Sequence, residues 1–342
     1  MKPPSAHNEL ADPARVERSS GKKRVHIKQV DAFTETPMTG NPAGVVVDGL
    51  GLTHAEMQVI AREMSLPETA FILPASTKGA DLRIRWFSPT VEVPLCGHAT
   101  IASFHALAEE GLYGMSHDGT YRFNIETSSG TLPVTVEKSG ATVDVWLGLN
   151  LPAFTRATIQ KLDVVRVLNI GLDEFEPRLP IVADRYLYVP LRRLHTIFAL
   201  QPNLFAVSQF LANRGLSGIC VFTTETVDRK SAVHSRFFAP NMGISEDPVT
   251  GSANGPLGVY LFENGALEEN GGPSRARRTA KKPAEETPVE DRQVTLIAEQ
   301  GDAIGRKGRV RIRLVVHGNK LVAVSIGGRS ITVFDGEMLI AS

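Results

Sequence analysis

The alternation of apolar and polar positions divides the chain into short strands separated by a few helices. Residues 25–33 alternate as a strand does, and Val45-Val46-Val47 resumes a strand after a predicted tight turn at residues 39–44. Thr53 and Glu56 have the spacing of a capping box, so a helix is expected to begin there. The other elements predicted in the first half are a helix at residues 98–110 and strands at 69–73, 82–87, 121–136 and 142–147.

The second half repeats this order of elements. Helices are predicted at residues 158–169 and 203–214, the latter with Asn203 as its cap, and a third helix ends near Glu263. Strands are predicted at residues 186–189, 218–223, 233–238, 294–298, 310–316, 321–326 and 331–334. Helix, strand, strand, loop and helix therefore occur twice.

The two copies share a motif between their last strand and their last helix. The first copy has Phe87-Ser88-Pro89 followed by Cys96-Gly97-His98-Ala99, and the second has Phe238-Ala239-Pro240 followed by Thr250-Gly251-Ser252-Ala253. In both copies an arginine lies two residues before the phenylalanine. This repeat predicts an α+β fold of two pseudo-symmetric halves that face each other, with a site between them.

Aligning the two copies reveals a chemical asymmetry. Glu68 aligns with Gly218, and Cys96 aligns with Thr250. A racemase with two bases needs an ionisable group on each side of the stereocentre, and the second half offers none at these positions, although Asp247 lies nearby. One base that moves a proton along one face of a substrate fits this pattern better.

Gly97 and Gly251 each stand at the start of a predicted helix. A helix N-terminus presents unpaired N–H groups and roughly half a positive charge, which suits a carboxylate. Two such helix starts in one cleft would bind an acidic small molecule and stabilise an enolate-like charge. The predicted partner is therefore a small carboxylate, cyclic or unsaturated.

Each candidate side chain also has a purely structural interpretation. A lone glutamate such as Glu68 is usually a solvated strand-edge carboxylate, but its place beside the repeat junction favours a functional role. His98 is either satisfied by the backbone or held neutral and able to exchange a proton near pH 7. Asp247 precedes a proline and is as typical of a turn as of a site. Ser252 is an N-cap or a ligand contact, and Asn41 is a turn residue that also touches the cleft.

Composition narrows the class of protein. The chain has 342 residues, of which 42% are hydrophobic, enough for one large domain or two ordinary ones with a packed core. Its 37 basic and 37 acidic residues give zero net charge, which disfavours nucleic acid and anionic membranes as partners. Only 2 cysteines are present, which indicates a reducing, cytoplasmic location, and both Cys96 and Cys220 are interpreted as small buried residues.

Several kinds of site are not indicated. No apolar run reaches the roughly 20 residues of a membrane span. The chain lacks a Walker or dinucleotide-binding glycine loop between a strand and a helix, and the histidines other than His98 are scattered. The sequence therefore predicts no bound metal and no cofactor.

We expect the chain to be organised in four parts. They are a disordered tail at residues 1–23, a first half at 24–126 that residues 331–342 complete, a second half at 127–330, and within it a disordered, charged insertion at 271–292.

Taken together and in order, the motifs resemble those of the phenazine biosynthesis PhzF family, which has the diaminopimelate epimerase-like fold. The resemblance extends from about residue 25 to the C-terminus, apart from the insertion. It is carried by Asp31-Ala32-Phe33, Gly40-Asn41-Pro42-Ala43, Leu66-Pro67-Glu68-Thr69-Ala70-Phe71, Phe87-Ser88-Pro89, Cys96-Gly97-His98-Ala99-Thr100, Glu246-Asp247-Pro248-Val249-Thr250-Gly251-Ser252-Ala253 and Glu299-Gln300-Gly301.

This resemblance implies that each half is a β-barrel-like sheet wrapped around a central α-helix, which starts at His98 in one half and at Ser252 in the other. It implies a cofactor-independent isomerase, such as one that shifts a proton in a dihydro-hydroxyanthranilate, acting as a homodimer. The family's catalytic glutamate falls on Glu68, and its supporting histidine and aspartate fall on His98 and Asp247. Its substrate-holding positions fall on Gly97, Gly251 and Ser252.

Two other interpretations remain open. Cys96-Gly97-His98 also resembles the proline racemase family, and Thr250 stands where dehydratases of that group replace the second cysteine, which would give a cofactor-free hydroxyproline dehydratase. Gly40-Asn41-Pro42-Ala43 and Glu68 favour the PhzF-like interpretation. The third interpretation is a non-catalytic binding or scaffold protein of the same fold that works through its tail and insertion. A scaffold has no need of Glu68, His98 and Asp247 together.

Overall fold

The computed structural model describes residues 18–19, 22–156, 159–267 and 291–341. These residues fall into two compact units, which divide after Gly148 and again after Ile326. The halves predicted from the sequence divided at residue 126 instead. The boundary lies later because two antiparallel strand pairings continue the first unit beyond that point.

The predicted disordered segments lie mostly outside the described residues. Within the predicted tail, however, Lys22 and Lys23 belong to a strand, and they pair with Arg18 and Ser19. At the end of the predicted insertion, residues 291–292 also begin a strand. The two predictions therefore do not hold at these edges, where backbone pairing extends the flanking strands.

The first segment of the first unit contains two helices and nine strands among its described residues. They are β1 (Arg18–Ser19), β2 (Lys22–Ala32), β3 (Asn41–Val46), α1 (His54–Met64), β4 (Glu68–Leu73), β5 (Leu82–Phe87), β6 (Glu92–Val93), α2 (Gly97–Glu109), β7 (Gly119–Thr127), β8 (Gly130–Ser139) and β9 (Thr142–Leu149).

The second unit follows, and the chain then returns to the first. The elements are β10 (Thr155–Arg156), α3 (Lys161–Leu168), β11 (Val182–Ala183), β12 (Tyr186–Pro190), α4 (Leu194–Ala199), α5 (Leu204–Ala212), β13 (Gly218–Thr223), β14 (Val233–Ala239), β15 (Ile244–Asp247), α6 (Gly251–Glu263), β16 (Asp291–Gln300), β17 (Gly308–His317), β18 (Lys320–Gly328) and β19 (Ser330–Ala341). Short 3₁₀ turns lie at Leu172–Glu174, Pro240–Met242 and Asp302–Ile304.

Strand pairing follows the same pattern in both units. In the first, β3 is parallel to β4, β4 antiparallel to β5, β5 parallel to β7, and β7 antiparallel to β8. In the second, β12, β13, β14, β16 and β17 repeat this order of parallel and antiparallel neighbours. The predicted α+β fold with two similar halves is confirmed.

A buried helix lies at the centre of each unit. Every residue of α2 from Gly97 to Ala108 is buried, and α2 packs against β2, β3, β4 and β19. Its hydroxyls at Thr100 and Ser103 donate to the carbonyls four residues earlier, at 2.6 and 2.7 Å, so these polar groups are satisfied without leaving the core. Helix α6 is buried from Ala253 to Leu261 and packs against β16 and β17. Of the helices in the described ranges, none is long and apolar enough to cross a membrane.

The segment that precedes each central helix is held by an equivalent ion pair. Arg85 binds both carboxylate oxygens of Glu92 at 2.7 Å, and Arg236 binds both oxygens of Glu246 at 2.8 Å. Each guanidinium also lies 5.1 Å from the ring of the phenylalanine two residues later. The arginine present in both copies of the sequence repeat therefore bonds its strand to the segment that precedes the central helix.

A carboxylate that binds a loop repeats in the same way, partly buried in the first unit and fully buried in the second. Glu126 of β7 accepts two successive N–H groups of the loop between β4 and β5, at 2.7 and 2.8 Å. Glu299 of β16 accepts two successive N–H groups of the loop between β13 and β14, at 2.8 and 2.7 Å. Glu299 also contacts His234 Nδ1 at 2.9 Å and Arg309 at 3.6 Å. Burial alone would raise the pKa of Glu299, but these hydrogen bonds and charges lower it to about 2.

Two local predictions were wrong. Residues 39–44 are not wholly a turn, because Asn41 already pairs with Ala32 and begins β3. Pro42 is tolerated there because the ladder to β4 starts only at Ala43. The single strand predicted at 121–136 is a hairpin of β7 and β8, in which Thr127 pairs with Gly130.

We predict that Glu299→Gln lowers the free energy of unfolding by about 1–3 kcal/mol at pH 7, because it removes a buried charge that accepts several hydrogen bonds. The folded pKa of about 2 lies below the ordinary value of 4.5, so this stabilisation is present above pH 4.5 and is lost as pH falls towards 2. Urea unfolding from pH 7 to pH 3 measures the difference between variant and wild type. Glu337→Gln, at an exposed ion pair, is the control. A difference that stays constant over this pH range would contradict the prediction.

Candidate active site

The first polar cluster is centred on Glu68 and His98. Glu68 is the first residue of β4 and lies opposite Ala43 of the parallel strand β3. This register directs it to the start of α2, where its Oε2 lies 3.3 Å from His98 Nε2. Only 13% of the Glu68 side chain and 7% of the His98 side chain are exposed, so the pair is largely shielded from water.

Three further groups hold the His98 ring. Asn41 Nδ2 lies 3.2 Å from Nδ1, and Cys96 Sγ lies 3.4 Å from the same nitrogen. Burial lowers the pKa of His98 below its ordinary value of 6.5, while the charge of Glu68 and a hydrogen bond to the Pro42 carbonyl oppose this. The ring is therefore biased towards its neutral form beside a carboxylate, a pair that can accept, hold and return a proton.

Gly97 is the first residue of α2, so its backbone belongs to this cluster as well. The cap residue, Cys96, forms no side-chain capping bond within the described chain, so the first-turn N–H groups are not engaged by it. The structure thus brings together four residues that the sequence indicated: Asn41, Glu68, Gly97 and His98. It also adds Cys96, which the sequence had indicated as a buried residue or, in the dehydratase interpretation, as a catalytic cysteine.

The second cluster belongs to the second unit and contains Asp247, Gly251 and Ser252. Asp247 ends β15, and its Oδ2 accepts a 2.6 Å hydrogen bond from the Thr250 hydroxyl. Gly251 and Ser252 are the first residues of α6, and Ser252 Oγ lies 3.1 Å from the Tyr186 hydroxyl. Three of the predicted site residues therefore meet at the start of the second central helix.

Gln300 holds this second cluster together. It was not among the site residues predicted from the sequence. Its Nε2 donates to the Asp247 carbonyl at 2.8 Å and to Thr250 Oγ1 at 3.0 Å. Its Oε1 accepts from Thr250 N at 2.9 Å and from Asn254 Nδ2 at 2.7 Å. The one sequence signal was the Glu299-Gln300-Gly301 motif, which carries no information on the partners of Gln300.

Gly301 is required by the same arrangement. It adopts φ +86°, and a Cβ there would lie 2.2 Å from the Arg306 carbonyl oxygen and 2.8 Å from the Pro248 carbonyl oxygen. Only glycine permits this approach without strain. The loop between Asp247 and Gly251 therefore depends on residue 301 as well as on Gln300.

The position equivalent to Glu68 is filled differently in the second unit. Gly218 begins β13 and lies opposite Tyr186, as Glu68 lies opposite Ala43. The ring of Phe237 covers this glycine, so closely that an added Cβ would lie 2.4 Å from Phe237 Cζ. Positions 68 and 218 therefore differ in packing as well as in chemistry.

A metal could be held only by a cluster of suitable donors. Among the described residues, Glu68, Cys96 and His98 form such a cluster, with one ligand atom from each lying within 4.8 Å of the others. The prediction that the protein carries no metal cofactor stays a prediction.

The chain is similar to known proteins along nearly its whole length. The family model described as phenazine biosynthesis-like protein, PhzC-PhzF, matches residues 30–336. An uncharacterized isomerase of Clostridium acetobutylicum is 33% identical over 324 residues, which cover 93% of this chain and 99% of that protein. A trans-2,3-dihydro-3-hydroxyanthranilate isomerase of Pseudomonas chlororaphis is 28% identical, with coverage of 92% and 99%.

Solved structures show the same relationship. The PhzF-family phenazine biosynthesis protein of Bacillus anthracis superposes with a TM-score of 0.77 at 30% identity, covering 93% of this chain and 100% of that one. A hydroxyproline epimerase of Agrobacterium vitis has a TM-score of 0.57 at 14% identity, covers 94% and 93%, and shares the fold alone. The chain therefore belongs to the phenazine biosynthesis-like PhzC-PhzF family of isomerases.

Proposed function

We propose that this protein is a cofactor-independent isomerase that moves a proton within a small carboxylate-bearing metabolite, cyclic or unsaturated, with Glu68 as the single base. The observation that supports this most directly is the shielded contact of 3.3 Å between Glu68 Oε2 and His98 Nε2. A carboxylate beside a predominantly neutral imidazole can take a proton from carbon at neutral pH. The Pseudomonas chlororaphis relative, named for such an isomerisation, supports the same reaction class.

In this reaction Glu68 takes a proton from one carbon of the substrate, and the electron pair moves into the adjoining unsaturated system. The proton then returns to a different carbon, so electrons are neither gained nor lost overall. His98 hydrogen-bonds to the reacting part of the substrate and keeps Glu68 in place. A reaction of this kind needs no redox cofactor, in agreement with the motifs absent from the sequence.

Within each unit, we assign a substrate-binding role to the predicted residues at the start of the central helix. The backbone N–H groups at Gly97 and Gly251, together with the Ser252 hydroxyl, are donors suited to a carboxylate. Asp247, whose Oδ2 accepts from the Thr250 hydroxyl, is assigned to an amino or hydroxyl group of the substrate. Asn41 positions the His98 ring through its contact with Nδ1.

The packing at Gly218 supports a single base. Glu68 has no ionisable counterpart at that position, and the Phe237 ring occupies the space that a second base would need. Proton transfer on one face of the substrate is therefore favoured over a two-base racemisation.

A hydroxyproline dehydratase that uses Cys96 and Thr250 is the second candidate. One observation favours it, since Cys96 Sγ lies 3.4 Å from His98 Nδ1, a contact that can activate a thiol. Glu68 would then have no direct catalytic task, and this difference separates the two candidates.

The homodimeric state and the cytoplasmic location also stay predictions. Measurement of the molecular mass in solution tests the homodimeric state.

We predict that Glu68→Gln lowers solvent-deuterium incorporation into the substrate by about 10²- to 10⁴-fold, because it removes the base. Cys96→Ala retains most of the exchange. NMR and mass spectrometry of trans-2,3-dihydro-3-hydroxyanthranilate and a library of cyclic and unsaturated acids in D₂O measure the effect. If Cys96→Ala abolishes turnover and Glu68→Gln does not, the assignment of Glu68 as the base is wrong and the cysteine-dependent candidate is favoured. If the wild-type protein exchanges deuterium into none of the acids, the scaffold interpretation gains support.

The pKa of His98 provides a test that needs no substrate. We expect it to lie below 6.5, since burial disfavours the imidazolium, and to fall further in Glu68→Gln, since that change removes a neighbouring negative charge. NMR titration of the ring C–H signals measures both values. His317, which is exposed and pairs with Asp291, is the internal control. A pKa that rises in the variant would contradict the assigned contact.

Ser252→Ala tests the binding role of the second unit. We expect KM for a carboxylate substrate to rise about 10- to 100-fold with little change in kcat, because one hydrogen bond to a charged group is lost in both ground and transition states. Ser208→Ala, which removes a hydroxyl from α5, is the matched control. An unchanged KM would rule Ser252 out as a substrate contact.

A further inference from the structure

We propose that Glu68, Cys96 and His98 form a zinc-binding site, and that zinc bound there blocks the base of the proposed isomerase. Inhibition by zinc rests on the proposed function, whereas zinc binding does not. The cluster supplies one carboxylate oxygen, one thiolate sulfur and one imidazole nitrogen, all within 4.8 Å of one another. These are the three ligand types that Zn²⁺ takes in proteins.

The spacing of the carboxylate and imidazole donors fits a tetrahedral ion. Zinc–ligand bonds of about 2.0 Å to oxygen and nitrogen and about 2.3 Å to sulfur place oxygen and nitrogen about 3.3 Å apart, and sulfur and nitrogen about 3.6 Å apart. Glu68 Oε2 lies 3.3 Å from His98 Nε2, and Cys96 Sγ lies 4.0 Å from the same nitrogen. Cys96 Sγ lies nearer to Nδ1, at 3.4 Å, so the Cys96 side chain must rotate towards Nε2 to complete the geometry.

The surroundings of the cluster also resemble those of a metal site. A metal-binding histidine commonly donates its other ring N–H to a carbonyl or carboxylate, and a hydrogen bond to the Pro42 carbonyl is available to His98. Zinc on Nε2 leaves the ring proton on Nδ1, so the Asn41 amide, whose Nδ2 faces Nδ1, must turn away or present its oxygen when the ion binds. Cys96 and His98 flank the first residue of α2, whose burial keeps both backbone positions fixed.

The donor set selects the kind of ion. A thiolate and an imidazole favour zinc over magnesium or calcium, which prefer oxygen ligands. Three protein ligands leave a fourth position open, so exogenous zinc can enter and exchange. Other histidine–carboxylate pairs in the described chain, such as His234 with Glu299, belong to no cluster of three donors.

Bound zinc would stop proton transfer directly. It would occupy the lone pairs of Glu68 and His98 that the isomerisation uses, and it would give a task to Cys96, which the isomerisation does not need. The ion is thus an inhibitor, which is compatible with a reaction that requires no cofactor.

Binding of Co²⁺ and Zn²⁺ to the full-length, metal-free protein tests the site without any substrate. We expect one equivalent of Co²⁺ to produce a thiolate-to-cobalt charge-transfer band, and one equivalent of Zn²⁺ to remove it. Cys96→Ala abolishes the band and weakens zinc binding at least about 100-fold, since a direct ligand contributes more than an outer partner does. Cys220→Ala, which removes the other buried thiol, leaves both unchanged. Circular dichroism verifies that both variants fold.

A band that persists in Cys96→Ala, or the absence of a band in the wild type, overturns the proposal. In the deuterium-exchange assay we expect zinc to inhibit the wild type and Cys220→Ala at the concentrations where it binds, and to inhibit Cys96→Ala only at concentrations at least about 100-fold higher. Binding without inhibition keeps the site but contradicts its overlap with the base. A wild type with no exchange activity leaves the cobalt result to decide the site alone.

Discussion

The requirement that each unit bury a helix on every side determines where polar chemistry can be placed. Helix α2 is buried along Gly97 to Ala108, so its middle must be apolar or must satisfy its own polar groups, as Thr100 and Ser103 do. Only the first turn presents N–H groups that the helix itself cannot satisfy. Glu68 and His98 lie at that turn, and Asp247 and Ser252 lie at the corresponding turn of α6.

Charged side chains hold the loops that lead into these turns. Arg85 and Arg236 bind glutamates of the short strands β6 and β15, and Glu126 and Glu299 bind backbone N–H groups of the loops that precede β5 and β14. Three consecutive residues, Glu299, Gln300 and Gly301, each stabilise a neighbouring loop or segment. The first binds a loop, the second binds the Asp247–Thr250 segment, and the third permits close backbone packing. Burial makes each of these interactions costly to break.

Much of the fold could be predicted because its signals are local or repeated. The capping box at Thr53 and Glu56 and the Asn203 cap are both present, and the repeat predicted the order of strands correctly. The roles of Gln300 and Tyr186 could not be predicted, because their hydrogen bonds join residues far apart in sequence and leave no periodic pattern. The hairpin after Thr127 could have been predicted from the turn residues Ser128-Ser129-Gly130, because the apolar alternation stops at Ile125 and resumes at Leu132.

The covering of Gly218 by Phe237 has a consequence for how this protein can change over evolutionary time. A carboxylate at position 218 would restore the chemical symmetry of the two units, but its Cβ would collide with the aromatic ring. A smaller residue at 237 alone would leave a cavity against β13, which costs about 3–5 kcal/mol for loss of a large aromatic side chain. Each single step is therefore unfavourable, and an ionisable residue at position 218 requires both substitutions together.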